Sequence, residues 1–184
     1  MYSELHCHTN YSFQEGASSI DETVTRASEL GYRALAITDH DNLCGAMRFA
    51  RVARSLDLQP IIGAELTLAD GSHVTLLAET RKGYGNLCSL LSSARITTDR
   101  LEPELDPRFL DHYARGLILL SGCSKGEVPS LVQEGRLREA EEVVERYMHW
   151  FGRENVYLEI QQNLVYGDTV RIRRLARIAR SLGI

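Results

Sequence analysis

Proline is scarce, at 4 of 184 residues, and no stretch approaches the roughly eighteen consecutive apolar residues that a membrane-spanning helix requires. Collagen-like repeats, proline-rich linkers and low-complexity tracts are also missing, which leaves an ordinary globular composition, 43% hydrophobic and 25% charged. The opening residues, Met1-Tyr-Ser-Glu-Leu-His-Cys-His8, have neither a basic n-region nor an apolar h-region, so a cytoplasmic protein without membrane contact is expected. Cysteine is sparse as well. Cys7, Cys44, Cys88 and Cys123 show no CxxC spacing, and a domain of this size buries about 68–70% of its unfolded surface without needing staples. A reducing compartment fits that usage.

Positive charge is in deficit. The net charge is −4 and the pI about 5.9, so the chain lacks the basic field that holds a stand-alone nucleic-acid binder to phosphates. If DNA is the substrate, other domains must deliver it. Of the 21 basic residues 19 are arginine, and Arg171, Arg173, Arg174, Arg177 and Arg180 read as the solvated face of a terminal helix. No GxGxxG, no GxSxG and no Walker loop occurs, which removes the common dinucleotide, serine-hydrolase and P-loop readings and leaves no side-chain nucleophile beside an obvious base.

What is present is alternation. Short apolar runs at 3–8, 34–38, 59–68, 73–78, 116–121 and 156–161 predict six strands. Helical stripes lie between them: Val24, Ala27 and Leu30 behind the capping box Ser19-Ile-Asp-Glu22; Leu43, Met47 and Ala50; Leu87, Leu90, Leu91 and Ala94; Leu137, Ala140, Val144, Tyr147 and Phe151; and Ile172, Leu175, Ala179 and Leu182. This is an α/β pattern of parallel strands with crossover helices, better suited to a barrel than to an open dinucleotide-type sheet, and residues 1–184 read as one domain. The segment 97–108, polar and holding Pro103 and Pro107, is expected to be irregular. Ser181-Leu-Gly-Ile184 reads as a helix end, a capping glycine and the start of a further strand, so the barrel is expected to lack its last strand.

Ligand-type side chains fall repeatedly at predicted strand ends. His6 and His8, two apart on one strand, share a face, and two imidazoles on one face suit a transition metal or, alternatively, ordinary surface or core histidines. His40 ends the second apolar strand. Glu65 interrupts a buried one, where it needs a metal or a salt-bridge partner. His73 shares the face of Glu65 only if the Asp70-Gly71 connection is a three-residue loop with Gly71 left-handed, or a bulge; a tight two-residue turn would set the two on opposite faces. Cys123 follows the fifth strand as a ligand or a structural thiol, and Glu15 lies on the first strand–helix loop as a bridging ligand or a solvated acid. Of Asp39 and Asp41, one is expected to orient an imidazole and the other to cap the next helix. His112 and His149 read as surface or structural residues.

The strings His6-Cys-His8, Thr38-Asp-His40, Gly63-Ala-Glu65 and His73, with His8-Thr-Asn-Tyr-Ser-Phe-Gln-Glu-Gly-Ala-Ser18 and Ala34-Leu-Ala-Ile-Thr-Asp-His-Asp-Asn-Leu-Cys-Gly45 between them, resemble the PHP family, named for polymerase and histidinol phosphatase. The wording is most similar to the N-terminal PHP domain of bacterial DNA polymerases related to the polymerase III α subunit, the error-prone branch in particular. The resemblance implies a distorted barrel of seven β/α units with up to three zinc, manganese or iron ions in its mouth. It carries over His6, His8, Glu15, His40, Glu65, His73 and Cys123 as metal ligands, with His6, His8, His40 and Glu65 acting in catalysis through a metal-activated water. Glu15 stands where relatives often have Asp or His. The implied reaction is phosphodiester hydrolysis of the 3′→5′ exonuclease type, with the remaining domains of a DNA polymerase as partners and DNA delivered by them. The family pattern ends in an Asp-x-His pair on the last strand, beyond this sequence, so weak or no activity is expected of the chain alone. Two other readings stand beside it: a non-catalytic scaffold module of a polymerase, and a stand-alone phosphomonoesterase of the histidinol phosphatase type.

Overall fold

The computed structural model describes residues 2–98 and 102–184. Five strands form one sheet in sequence order: β1 (Ala34–Ile37), β2 (Gln59–Thr67), β3 (His73–Ala78), β4 (Leu117–Leu120) and β5 (Val156–Tyr157). The pairs β1–β2 and β4–β5 are parallel, whereas β3 runs antiparallel to both of its neighbours. The expected parallel pairing thus holds at the two edges, and β2 and β3 form the hairpin expected at Asp70-Gly71. A hairpin joins β2 to β3, and it is too short for the crossover that parallel strands need. Among the described residues seven α-helices flank the sheet: α1 (Ile20–Glu29), α2 (Ala46–Ser55), α3 (Arg81–Thr97), α4 (Arg108–Tyr113), α5 (Glu127–Glu134), α6 (Leu137–Phe151) and α7 (Asp168–Leu182).

The six predicted strands become five. Segment 3–8 lies beside β1, where Ala36 N–H donates to the Glu4 carbonyl and Thr38 N–H to that of Cys7, but only the Glu4–Leu35 pair forms a bridge. Side chains take the donors that would extend the ladder: Cys7 N–H goes to Thr38 Oγ1, and Thr9 N–H to Asp39 Oδ1. At the opposite edge, 156–161 shortens to two residues, and Glu159 N–H turns aside to Ser121 Oγ. Neighbouring strands lie about 4.8 Å apart, so in a flat sheet segment 3–8 and the chain beyond β5 would be separated by roughly 24 Å. Instead, His6 and Glu159 are hydrogen-bonded. The sheet is therefore curled into a distorted barrel.

Strand alternation then sorts the faces. Leu66, Leu68, Leu76, Leu117 and Leu119 point outward into a core shared with Leu87 and Leu90 of α3 and with α6, while Leu35 and Ile37 pack on Val24 and Phe49 beneath α1 and α2. The concave face carries Ala36, Leu77 and Leu120 with Ile61 and Ile118, and it opens as a cleft of about 1110 Å³.

Several helix details differ from expectation. The capping box at Ser19 and Glu22 forms, and the α3 stripe is buried as expected, but Leu30 is exposed. In α2 the buried face is Ala46, Phe49 and Ala53, leaving Met47 78% exposed, because the large Phe49 ring sets the rotation of the helix. In α7 the face shifts to Arg171, Leu175 and Ile178. Arg171 is not solvated. It is buried 2.7 Å from the Asp168 carboxylate, and Arg174 donates to the Val132 carbonyl. Of segment 97–108, Asp99–Leu101 lie outside the described residues, Leu105 is buried in a bridge to Leu68, and α4 starts at Arg108. The four cysteines are free thiols, and among the described residues no helix is long and apolar enough to cross a membrane.

Candidate metal centre

The hairpin sets the geometry. Leu68 N–H donates to the Ser72 carbonyl around the loop Ala69-Asp70-Gly71, with Gly71 at φ +79°, which is the left-handed glycine a three-residue loop requires. Thr67 therefore pairs with His73 and Glu65 with Thr75, and all four side chains share the concave face. This is the longer loop expected from the sequence.

Glu65, 2% exposed, is the hub. Its Oε1 lies 3.6 Å from His6 Nε2 and 3.3 Å from His73 Nδ1. Its Oε2 lies 3.1 Å from His8 Nε2 and 4.0 Å from His40 Nδ1. Glu15 closes the mouth, its Oε2 sitting 2.6 Å from His40 Nδ1 and 3.6 Å from His8 Nδ1. Cys123 Sγ lies 3.9 Å from His73 Nδ1. The structure thus brings all seven sequence-derived candidates into one cluster, and it leaves His112 and His149 exposed elsewhere.

Charge follows from the crowding. Burial works against ionisation of Glu65, but the facing imidazoles of His6, His73 and His8 outweigh it and hold the carboxyl well below the usual range. Burial likewise opposes a charged His6, yet Glu159 and Glu65 push it up to about 10. Burial, followed by the charge of Glu65, raises the Cys123 thiol to about 11.

Two buried polar atoms, His8 Nε2 and Glu65 Oε1, have no hydrogen-bond partner among the described residues. An orphaned imidazole nitrogen and an orphaned carboxylate oxygen inside a ring of further nitrogens and oxygens form a donor set suited to divalent transition metals. His6, His8 and Glu65 converge within one ion's reach, and so do His40, Glu65 and His73, with Glu65 common to both sets.

Beyond these seven lie residues that the sequence reading missed. His6 Nδ1 is 2.9 Å from both Glu159 oxygens. Glu159 follows the last strand just as Glu65 sits in β2, and that repeated strand-end carboxylate was the available signal. His40 Nε2 donates to Thr67 Oγ1 at 2.8 Å, and that hydroxyl donates to Asp41 Oδ2 at 2.8 Å. Asp41 therefore steadies an imidazole through Thr67. The other expectation for this pair is corrected: neither aspartate caps α2, which starts behind Gly45, because Asp39 is occupied by Thr9 and Ser12.

The chain is similar to known proteins over nearly all of its length. Over 98% of its length the chain is 43% identical to an error-prone DNA polymerase of Symbiobacterium thermophilum, and over the same share it is 38% identical to a DNA polymerase III subunit alpha of Treponema pallidum. It spans only 18% and 17% of those two proteins. Among solved structures, an amidohydrolase from Chromobacterium violaceum overlaps 79% of this chain and 55% of its own, at 22% identity and a TM-score of 0.44. The family described as the PHP domain matches residues 4–163, a span that begins before His6 and ends beyond Glu159, and the chain belongs to that family.

Proposed function

We propose that this chain is a metal-dependent phosphoesterase domain of a bacterial DNA polymerase of the error-prone type, hydrolysing phosphodiesters in the manner of a 3′→5′ exonuclease. The observation that carries the reading is the hub: a buried carboxylate within about 4 Å of four imidazoles, with one of its oxygens and one facing nitrogen left unsatisfied.

His6, His8, Glu15, His40, Glu65, His73 and Cys123 would hold up to three zinc, manganese or iron ions. When bound, such ions supply water activation near neutral pH and neutralise charge developing on a phosphoryl group. The protein's own part is orientation. Glu159 accepts the Nδ1 proton of His6 and turns Nε2 towards Glu65, and the Thr67–Asp41 relay accepts the Nε2 proton of His40 and turns Nδ1 inward. Glu65 reaches both halves of the cluster, so a shift of this one side chain alters both. No nucleophilic side chain with a base is required. The rest of a polymerase is the partner in this reading, and it would deliver the DNA that the net charge of −4 does not attract.

A scaffold reading has one observation in its favour, the small share of each relative that the chain represents. The separating experiment is elemental mass spectrometry of the purified chain together with hydrolysis of bis(4-nitrophenyl) phosphate, for the wild type and His8→Ala. Bound metal is expected, with at most weak turnover in this chain that chelator and His8→Ala both abolish. Bound metal with a His8→Ala variant that loses thermal stability but leaves turnover unchanged favours the scaffold, and a chain that takes up no metal defeats the reading.

A further inference from the structure

Loop 9–16, which leads from segment 3–8 into α1, is fastened at Thr9, Tyr11 and Ser12. Thr9 N–H and Oγ1 and Ser12 Oγ donate to the buried Asp39 carboxylate, Ser12 Oγ accepts from His40 N–H, and Asn42 holds the Tyr11 carbonyl. Gly16 presses so closely on the loop that a Cβ there would stand 2.0 Å from the Thr9 carbonyl oxygen. On this fixed frame Phe13 projects into solvent, 86% exposed, two residues before Glu15. A single exposed ring is ordinary on a mobile loop. Here the ring stands on a braced support beside the cluster.

Two cations share that rim. Lys125 Nζ lies 3.9 Å from Glu15 Oε1, and Arg95, exposed, donates to the carbonyl of Asp41, the residue after His40. An acidic and imidazole interior therefore has two positive side chains at its edge, and an exposed ring two residues before its ligand candidate Glu15. Single-stranded nucleic acid is bound by this pairing of features, because aromatic rings stack its bases and cations follow its phosphates. A small phosphomonoester offers no base to stack.

We propose that Phe13 is a stacking platform for a base of a single-stranded nucleic acid whose phosphates run past Lys125 and Arg95 towards the cluster. The proposal rests on the phosphoesterase reading for the direction of the strand, but its test does not require turnover. Fluorescence anisotropy would follow the binding of a dye-labelled oligothymidine with phosphorothioate linkages, and of an abasic strand of equal length, to the wild type, Phe13→Ala and Phe13→Trp at low salt. Phe13→Ala is expected to bind the base-bearing strand about tenfold more weakly, with Phe13→Trp restoring affinity and the abasic strand showing no difference between variants. Melting temperatures should coincide, since the ring buries little. No measurable binding by the wild type, equal binding by Phe13→Ala, or an equal loss on the abasic strand would overturn the proposal. No metal uptake, or hydrolysis of bis(4-nitrophenyl) phosphate that chelator and His8→Ala leave unchanged, would count against the phosphoesterase reading and leave this comparison standing.

Discussion

His6 Nδ1 lies 2.9 Å from each carboxylate oxygen of Glu159. A bidentate arrangement of this kind fixes both the tautomer and the rotation of the ring, and it leaves Nε2 as the nitrogen turned towards Glu65. Removing the carboxylate in Glu159→Ala is expected to weaken divalent-metal affinity by about 10–100-fold, read by competition with a coloured chelator. Glu159→Gln retains an acceptor oxygen and should fall between the two. Unchanged affinity in Glu159→Ala would show that the pair does not position His6.

Glu65→Ala should act more broadly, because both convergent triads contain this residue. Elemental mass spectrometry is expected to find roughly two or more ions per wild-type chain and far fewer in the variant. Loss confined to one equivalent would mean that the imidazoles hold the second centre without the shared carboxylate.

In metal-free protein the His6 interactions carry a pH signature. The folded value is raised to about 10 from the ordinary 6.5, so the stabilisation is fully present below about 6.5 and is lost as pH rises through about 10. Chemical denaturation in chelator should therefore show falling stability from pH 7 to 10, with a shallower fall in Glu159→Ala. A flat profile in the wild type would contradict the assignment.

Two glycines give opposite expectations for the same substitution. Gly71 closes the β2–β3 hairpin at φ +79°, so Gly71→Ala should cost about 1–2 kcal/mol even though no atom lies within 4 Å of the added methyl. Gly85 is exposed within α3 with equally open space and ordinary helical backbone, so Gly85→Ala should stabilise by about 0.5–1 kcal/mol. Urea midpoints decide both, and a like sign for the two variants would refute the backbone argument.

Six of the seven clustered residues were legible because they lie at or near predicted strand ends, and Glu15 because it stands in the motif that follows His8; the Asp70-Gly71 pair left two registers open, of which the expected three-residue loop puts Glu65 and His73 on one face. Glu159 was not found, although the same strand-end logic applies to it, because a polar Gln161-Gln162-Asn163 run follows and hides the pattern. Segment 3–8 has strand periodicity, but the hydroxyl of Thr38 and the carboxylate of Asp39 compete for its N–H groups, and periodicity carries no information about such side-chain competitors. The rotation of α2 was misjudged because the stripe Leu43, Met47 and Ala50 leaves out Phe49, and that of α7 because apolar spacing assumes that arginine faces water. Arg171 instead pairs with Asp168, whose other oxygen accepts from Asn163 N–H and Val165 N–H, and that fastening turns the helix.

The contact between His6 and Glu159 spans 153 positions of the chain. Closing so long a loop costs entropy that local contacts cannot repay in advance, so the cluster is completed only when segment 3–8 and the chain beyond β5 meet. Partly folded forms in which α1, α2 and the hairpin have consolidated would hold Glu65 and His73 without His6 in place. On the metal-binding reading proposed above, uptake would therefore double as a checkpoint, distinguishing a barrel whose two ends have joined from one that is merely compact.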